Sequence, residues 1–329
     1  MIIQGDGVAA SCCAYLLNKA GFRIDPQPVD RPRLPVILLG DQALALIRDI
    51  FDQPALFSDL PRIRKRIVAW GPDAPPLTVE HSAVVVSEEA LLDGIRPALP
   101  TEHPAAGNAT EETDWTIFAA RPLPVPTTDH RFGTRMASAV RVTLAEGSDP
   151  SACWIESLED GWLFLVNGWL LAVGSPADQL LGGSRVVARE ITQLARQAGE
   201  FPAYARIASP LGAPGWLACG TAAMALDPIC GDGTAYAIRE AILASAVIRA
   251  LAKNGPSADL LPHYDARLTA GFQRHLMLCR QFYLSGGTGA LWRAELDAID
   301  RGIQWSAAKL RAHASFRYQL RGFELEAVG

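Results

Sequence analysis

The chain of 329 residues is 49% hydrophobic and 20% charged, enough apolar material for a large core in one or two domains. Its formal net charge of −5 leaves no overall basic field of the kind that attracts nucleic acid or anionic membrane. The start lacks a charged segment followed by an apolar core, and no apolar run reaches the roughly 18–20 residues of a membrane span. The expectation is a cytoplasmic protein with no nucleic-acid partner and no stable membrane insertion.

The first stretch, Ile2 to Ile24 (IIQGDGVAASCCAYLLNKAGFRI), reads as a short strand, a glycine turn and a helix. Gly5, Gly7 and Ala10 stand in G-x-G-x-x-G/A spacing, in which the first glycine permits a tight turn and the second lets backbone approach a pyrophosphate. The small third residue lets helix and strand pack closely. Val8 and Ala9 open the helix, whose N-terminal N–H groups and positive dipole end point at the phosphate position. Taken alone, this turn suits either dinucleotide binding or a glycine turn that binds nothing.

The proline-rich DPQPVDRPRLP from Asp25 to Pro35 is hard to place in a central strand, because each proline removes a ladder donor. Val36 to Gly40 is apolar, and Asp41 to Phe51 has helical spacing. The run Arg62-Ile63-Arg64-Lys65-Arg66 reads as a solvated basic edge before a strand from Ile67 to Trp70. Trp70 to Pro76 is a loop, and HSAVVVSEEALLDGI is a buried strand running into a helix with Ser87 as N-cap. Residues 101–112 are polar and breaker-rich, a loop or flexible link. DWTIFAA is another buried strand.

From Arg131 to Ser175, runs rich in β-branched and aromatic residues alternate with Gly or Asp turns, which predicts an antiparallel meander of about four strands. Glu156, Glu159 and Asp160 fall at a hairpin turn and its exposed side. Ala177 to Ala198 reads as helix, Gly215 to Cys219 as a short strand, and Thr234 to Ala252 as a long apolar helix, with helices to the end. Six cysteines contain no C-x-x-C pair and six histidines lack metal-ligand spacing, so no metal is expected.

A second glycine signature lies in GWLACGTAAMALDPICGDGTAYAIREAILASAVIRAL. A strand ends at Gly220, an Asp227-Pro228 turn follows, and Gly231-Asp232-Gly233 opens a long helix at Thr234. Backbone N–H groups and a helix N-terminus again converge, here suited to a partly anionic ring or carbonyl oxygen. Two such turns more than two hundred residues apart are hard to explain as packing accidents.

Here the sequence resembles the FAD-dependent monooxygenase superfamily that includes p-hydroxybenzoate hydroxylase, geranylgeranyl reductases and tryptophan halogenases. That family's pattern is roughly G-D-A-A-x-x-x-x-P-x-x-G-x-G before a long helix, and Gly220, Ala222, Ala223, Pro228, Gly231 and Gly233 match it. The resemblance implies an α/β fold: a three-layer, Rossmann-like nucleotide domain over 1–130 and 205–260, an inserted antiparallel substrate region over 131–204, and C-terminal helices over 261–329. It implies FAD held by Gly5, Gly7, Val8, Ala9 and Ala10 at one end. At the other end stand Gly220, Thr221, Asp227, Pro228, Gly231, Asp232, Gly233 and Thr234, with the flavin pyrimidine edge facing 231–234. HSAVVVSEEALLDGI, TDWTIFAAR, the meander, SRVVAREI and the stretch from His263 to Glu295 resemble further pieces of the family, so the likeness is scattered over most of the chain.

Three departures stand out. The family's ribityl-binding Asp is Thr221 here. The acid expected for the adenosine ribose has no clean counterpart, Asp30 (with Arg33 nearby) and Asp25 being the candidates. Where many members carry an arginine in the strand-helix of the nucleotide domain, this chain has Glu88. Each lost charged contact costs roughly 1–3 kcal/mol of affinity, so FAD is expected to be held less tightly than usual.

No catalytic triad is visible, as suits chemistry done by a flavin. Trp154, Trp162 and Trp169 on the meander read as an aromatic substrate wall or as ordinary sheet packing. His275 reads as a pocket residue or a packed one. The halogenase stretch W-x-W-x-I-P falls at Trp162-Leu163-Phe164-Leu165-Val166-Asn167, which keeps only its first residue, so halogenation is not expected. The resemblance thus implies an FAD-dependent monooxygenase hydroxylating an aromatic or tryptophan-derived small molecule or peptide, reduced by NAD(P)H or a separate flavin reductase. The alternatives are a degenerate relative acting as a scaffold for a partner protein, and a flavin-dependent reductase.

Overall fold

The computed structural model describes residues 1–98, 114–313 and 316–328; the link expected over 101–112 lies outside them. In chain order the elements are β1 (Ile2–Gln4), α1 (Val8–Lys19), β2 (Asp25–Gln27), β3 (Ile37–Gly40), α2 (Asp41–Phe51), β4 (Arg62–Ala69), β5 (Leu77–Val86), α3 (Glu88–Ile95), β6 (Thr116–Phe118) and β7 (Thr128–Phe132). The next four strands are β8 (Met136–Leu144), β9 (Ala152–Leu158), β10 (Gly161–Val166) and β11 (Trp169–Gly174); only β9-β10-β11 form a meander, and β8, expected beside β9, pairs with β11 instead. Then come α4 (Ala177–Gly183), β12 (Ile191–Pro202), β13 (Ala205–Ser209), β14 (Gly212–Ala213), β15 (Trp216–Ala218), α5 (Gly220–Ala223) and β16 (Met224–Ala225). The chain ends with α6 (Gly233–Ala252), α7 (Ser257–Gly286), α8 (Ala290–His313) and the hairpin β17 (Tyr318–Arg321) and β18 (Glu324–Ala327).

Two sheets organise the chain. The smaller has the order β14-β15-β6-β1-β2 and is parallel through its last four strands. Its proline-bearing strand β2 occupies the edge, where Pro26 forfeits no internal ladder bond. The larger has the order β12-β8-β11-β10-β9-β4-β5-β3, antiparallel except where β4 runs beside β9. A small antiparallel sheet, β16-β13-β7, completes the middle of the molecule. This is a mixed α/β fold with a parallel nucleotide-type sheet, a large antiparallel sheet and C-terminal helices. Among the described residues no helix is long and apolar enough to cross a membrane.

Alternation explains both faces of the large sheet. Along β10, Trp162 points into the main core while Leu163 and Leu165 point the other way, into a second cluster with Val187 and with Ala177 and Leu180 of α4. The main core is continuous from Ile3, Leu17 and Ile117 around the parallel sheet to Val247 on α6 and Phe272 on α7. Ser87 caps α3 through the Ala90 N–H at 3.0 Å.

Several expectations are corrected. The helix expected over 177–198 stops at Gly183; after a single 3-10 turn at 187–190 the chain becomes β12. Three register irregularities against β8 break the period-two alternation that would have announced a strand. The C-terminus is not all helix: Arg249 of α6 donates to the Phe323 carbonyl at 3.1 Å and pairs with Glu324, holding the terminal hairpin. The basic run lies within β4 itself, where Arg62 pairs with Asp41 and Lys65 with Asp149 on neighbouring segments. The strand of HSAVVVSEEALLDGI, β5, lies in the large sheet between β4 and β3. Glu156 is buried, accepting N–H groups from Arg185, Val186 and Val187 and the Ser184 hydroxyl, so it organises the turn after α4.

One buried cation ties the layers together. Arg135, at the entrance to β8, is 3% exposed; it donates to Asp227 at 2.6 Å and to Glu295 of α8, and its guanidinium lies 4.4 Å from the Tyr283 ring centre on α7. Burial alone would lower the Arg135 pKa, but Asp227, Tyr283 and Glu295 outweigh it and raise it, so the cation is held charged. Removing one member of a buried ion pair leaves uncompensated charge and costs about 3–5 kcal/mol. Arg135→Met is expected to lose stability of that order in urea unfolding; an unchanged midpoint and slope would contradict the role given to this residue.

Candidate functional site

The first glycine turn follows β1. Gly5 has φ of +120°, and a Cβ on it would stand 3.1 Å from Ala120, so only glycine permits both the turn and the approach of the chain leaving β6. Gly7 caps α1 in an extended conformation with no side-chain acceptor for the first helical N–H groups. Those groups, with Val8, Ala9 and Ala10 packed behind them, form the kind of N-terminus that accepts an anion.

Four charged side chains surround this turn. Asp6 pairs with Arg33, 3.1 Å along one hydrogen bond, and Arg31 pairs with Glu88 of α3, 3.0 Å along one hydrogen bond. Glu88 also accepts the Leu34 N–H at 2.9 Å. Burial alone would raise the Glu88 pKa, but Arg31, the Leu34 N–H and Arg33 outweigh it and lower it. The acid and the arginine that the resemblance leads one to expect are thus present with their places exchanged: arginines after the edge strand, a glutamate on the helix. Asp30 is exposed.

The second turn meets the first. Gly220 has φ of +55°, and a Cβ there would stand 2.8 Å from the Ala9 Cβ, so two motifs some 210 residues apart in sequence pack directly on each other. The Gly220 N–H donates to Glu240 of α6 at 2.7 Å, and burial pushes the Glu240 carboxyl up to about 8 against that bond. Thr221 is exposed at the start of α5. Asp227 is pinned by Arg135 and accepts the Ile229 N–H at 3.0 Å, capping the 3-10 turn that Pro228 begins. Beyond it, a Cβ on Gly231 or Gly233 would meet nothing within 4 Å, so open space lies in front of the N-terminus of α6. Asp232 precedes that helix and Thr234 follows its first residue, half-buried.

These features fit a dinucleotide in shape: two helix N-termini, glycines where backbone must come close, and open ground at 231–233. One group stands in the approach. An Arg31 guanidinium nitrogen lies 2.6 Å from where a Gly7 Cβ would be, and Glu88 3.4 Å from it. Arg31 is a long, partly exposed side chain carrying the charge a diphosphate attracts, so a shift of its guanidinium would make room for the group.

The fold does not bring the expected substrate-wall residues together. Trp162 is 1% exposed, in edge contact with Trp70 and donating to the Tyr283 hydroxyl at 3.3 Å. Trp154 is buried in the cluster on the opposite face of the sheet, and Trp169 is half-buried under Arg141, 5.2 Å from its ring centre. His275 is buried, accepting the Asp227 N–H at 2.9 Å on Nε2. A separate cavity of about 710 Å³ opens between the small sheet, α7 and α8, lined among others by His130, Asp265, Trp305 and Lys309; none of the expected site residues lines it.

Sequence reasoning missed Arg135, Arg31, Glu240 and the meeting of Cys230 with Cys279. A lone arginine before a strand, or a glutamate in an apolar helix such as Glu240, is a visible signal, since an unpaired charge is not buried. The partners, however, come from distant elements and have no spacing signature.

The sequence matches no protein-family profile and no curated protein. Solved structures do resemble it. Similar to this chain are the peptidyl tryptophan dihydroxylase QhpG, essential for tryptophylquinone cofactor biogenesis (TM-score 0.70, 18% identity, 99% of this chain and 85% of that one), and CmlS, a flavin-dependent halogenase (0.71, 17%, 95% and 71%). HpxO of Klebsiella pneumoniae, solved in complex with FAD, is also similar (0.59, 15%, 94% and 92%). The chain has the fold of the FAD-dependent monooxygenases and halogenases.

Glu240 makes a pH prediction. Its folded pKa of about 8 lies above the ordinary value of 4.5, so the folded chain binds the extra proton. Its contribution to stability is full below about 4.5 and is lost as pH rises towards 8. Thermal melts between pH 6 and 9 are expected to fall for the parent and to be flatter for Glu240→Gln; parallel curves would contradict the assignment.

Proposed function

We propose that this chain is an FAD-dependent oxidoreductase, a monooxygenase that hydroxylates an aromatic or tryptophan-derived group on a small molecule or peptide. The observation that carries the reading is the direct packing of the two glycine turns, Gly220 on Ala9, within a whole-chain likeness to FAD-dependent enzymes. Bound FAD would supply the redox chemistry, taking electrons from NAD(P)H or a flavin reductase and activating oxygen. The chain's own part is positioning. The α1 N-terminus and Arg31 would hold the diphosphate, Thr221 would face the ribityl chain, and the α6 N-terminus would favour negative charge on the ring edge. Asp227 serves indirectly, fixing the loop through Arg135.

The likeness to QhpG supports a peptide or protein-bound tryptophan as substrate class. Halogenation is disfavoured by Phe164, Val166 and Asn167, which stand where the halogenase stretch has Trp, Ile and Pro. A second reading, a relative that has given up tight FAD binding and serves as a scaffold for a partner protein, is favoured by the Arg31–Glu88 pair standing over Gly7.

Titration of the purified chain with FAD, followed by flavin absorbance and fluorescence, separates the two. Micromolar or tighter saturable binding, abolished in Gly7→Val, is expected; no binding would leave the scaffold reading. Thr221→Asp adds a carboxylate at an exposed position beside the second turn, and charge-assisted bonds to the ribityl hydroxyls would tighten FAD by about 1–2 kcal/mol, roughly five- to thirty-fold. Equal or weaker affinity would mean that Thr221 does not face the ribityl chain.

A further inference from the structure

The loop that closes the second glycine turn carries Cys230, and α7 brings two reactive groups to it. The Cys230 and Cys279 sulfurs are 3.6 Å apart, and the Cys279 sulfur is 3.2 Å from His275 Nε2. His275 and Cys279 are four residues apart on α7 and so share a face of that helix. All three groups lie within 4.8 Å of one another. His275 Nε2 already accepts the Asp227 N–H at 2.9 Å, which places the ring proton on Nδ1 in the resting state. Nδ1 faces Asp232 Oδ1 at 4.0 Å, and neither atom has a hydrogen-bond partner. Because that Nε2 lone pair is taken and Nδ1 carries the proton, His275 offers no free ring lone pair to a metal ion.

The two thiols are unequal. Cys230 is half-buried and Cys279 fully buried. A hydrogen bond from Cys279, aided by His275, holds the Cys230 thiol down at about 7 against its burial, while burial pushes Cys279 well up. Burial would lower the His275 pKa, but Cys230, Asp227 and Asp232 outweigh it and raise it. An accessible, low-pKa thiol beside a second thiol is the arrangement that oxidises reversibly. A second close pair, Cys13 and Cys219 at 3.9 Å, offers a contrast within the same chain. Both of its sulfurs are fully buried, and its bond to Cys13 together with burial pushes Cys219 up.

We infer that Cys230 and Cys279 form a dithiol–disulfide site, with Cys230 as the attacking thiol, Cys279 as the resolving thiol and a hydroperoxide as oxidant. The Cys230 thiolate attacks the terminal oxygen of the hydroperoxide; the O–O bond breaks, and the departing alkoxide or hydroxide takes up a proton from water. Cys230 then carries S–OH. Cys279 attacks the Cys230 sulfur; the S–O bond breaks, and the departing oxygen takes the Cys279 thiol proton and leaves as water. Two thiols have lost two electrons, and one hydroperoxide has become an alcohol and water. The sulfurs close by about 1.5 Å to reach bonding distance. The bond joins the loop at 228–230 to α7, ahead of the glycines that open α6. None of this requires a bound flavin.

The test uses the full chain, reduced, desalted and exposed to a few equivalents of hydrogen peroxide, then alkylated and mapped by peptide mass spectrometry. The expected result is a Cys230–Cys279 cross-linked peptide, 2 Da lighter than the two thiols and reversed by dithiothreitol, with Cys13 and Cys219 still alkylated in the same sample. Cys279→Ser is expected to leave Cys230 as a sulfenic acid that dimedone captures. The inference is overturned if Cys230 advances to sulfinic acid while Cys279 stays free, if neither reacts, or if Cys13 and Cys219 cross-link first. It is also overturned if the untreated protein carries one equivalent of zinc that blocks both thiols.

Discussion

Arg135 is the point on which the arrangement turns. A guanidinium taken wholly out of water is costly unless its charge is met, and here two carboxylates and an aromatic face meet it. Each partner belongs to a different part of the chain: Asp227 to the loop of the second glycine turn, Glu295 to α8, Tyr283 to α7. The large sheet, through the start of β8, therefore fixes where that loop lies. The same loop then presents Gly231 and Gly233 to open space and Cys230 to α7. Displacing the cation releases all of these together, because Asp227 also caps the 3-10 turn and donates its N–H to His275.

The two ends of the candidate site differ in character. Around the first turn, charges of both signs crowd Gly7, and a diphosphate bound there would compete with Glu88 and Asp6 for Arg31 and Arg33. Around the second turn Asp227 and Glu240 are buried and hydrogen-bonded, and the approach to the α6 N-terminus is clear. On the proposed reading, affinity for the adenosine half would depend on parting an ion cluster whose Glu88 carboxylate is buried, and placement of the ring half on the loop that Arg135 fixes.

Legibility from sequence followed the locality of the cause. The strand–turn–helix of the first motif, the helix Asp41–Phe51, the four strands between Met136 and Gly174 and the long helix after Gly233 each rest on patterns within about twenty residues and were readable, but the long-range pairing of β8 with β11 was not. The strand Ile191–Pro202 was not, because its bulges disrupt alternation and leave ITQLARQAGEFP with helix-like spacing. The terminal hairpin was available in YQLRGFELE, an alternating pattern around Gly322, but was absorbed into the preceding helix. In the site, the glycines were visible because backbone geometry demands them. Arg135, Glu240, Arg31 and the pairing of Cys230 with Cys279 were not, since each depends on contacts that only the folded chain makes. The tryptophans are a further case: residue type suits a pocket wall and sheet packing alike, and in the folded chain Trp154 and Trp162 fill the core on opposite faces of one sheet.

The central claim is that the turns at 5–10 and 220–234 form one site for one ligand. Hydrogen–deuterium exchange of the full chain with and without saturating FAD tests it most directly, because it reads both turns in the same sample. The account predicts that peptides covering 5–10 and 220–234 gain protection together, with the same dependence on FAD concentration. Protection of one turn without the other, or of neither, would contradict it.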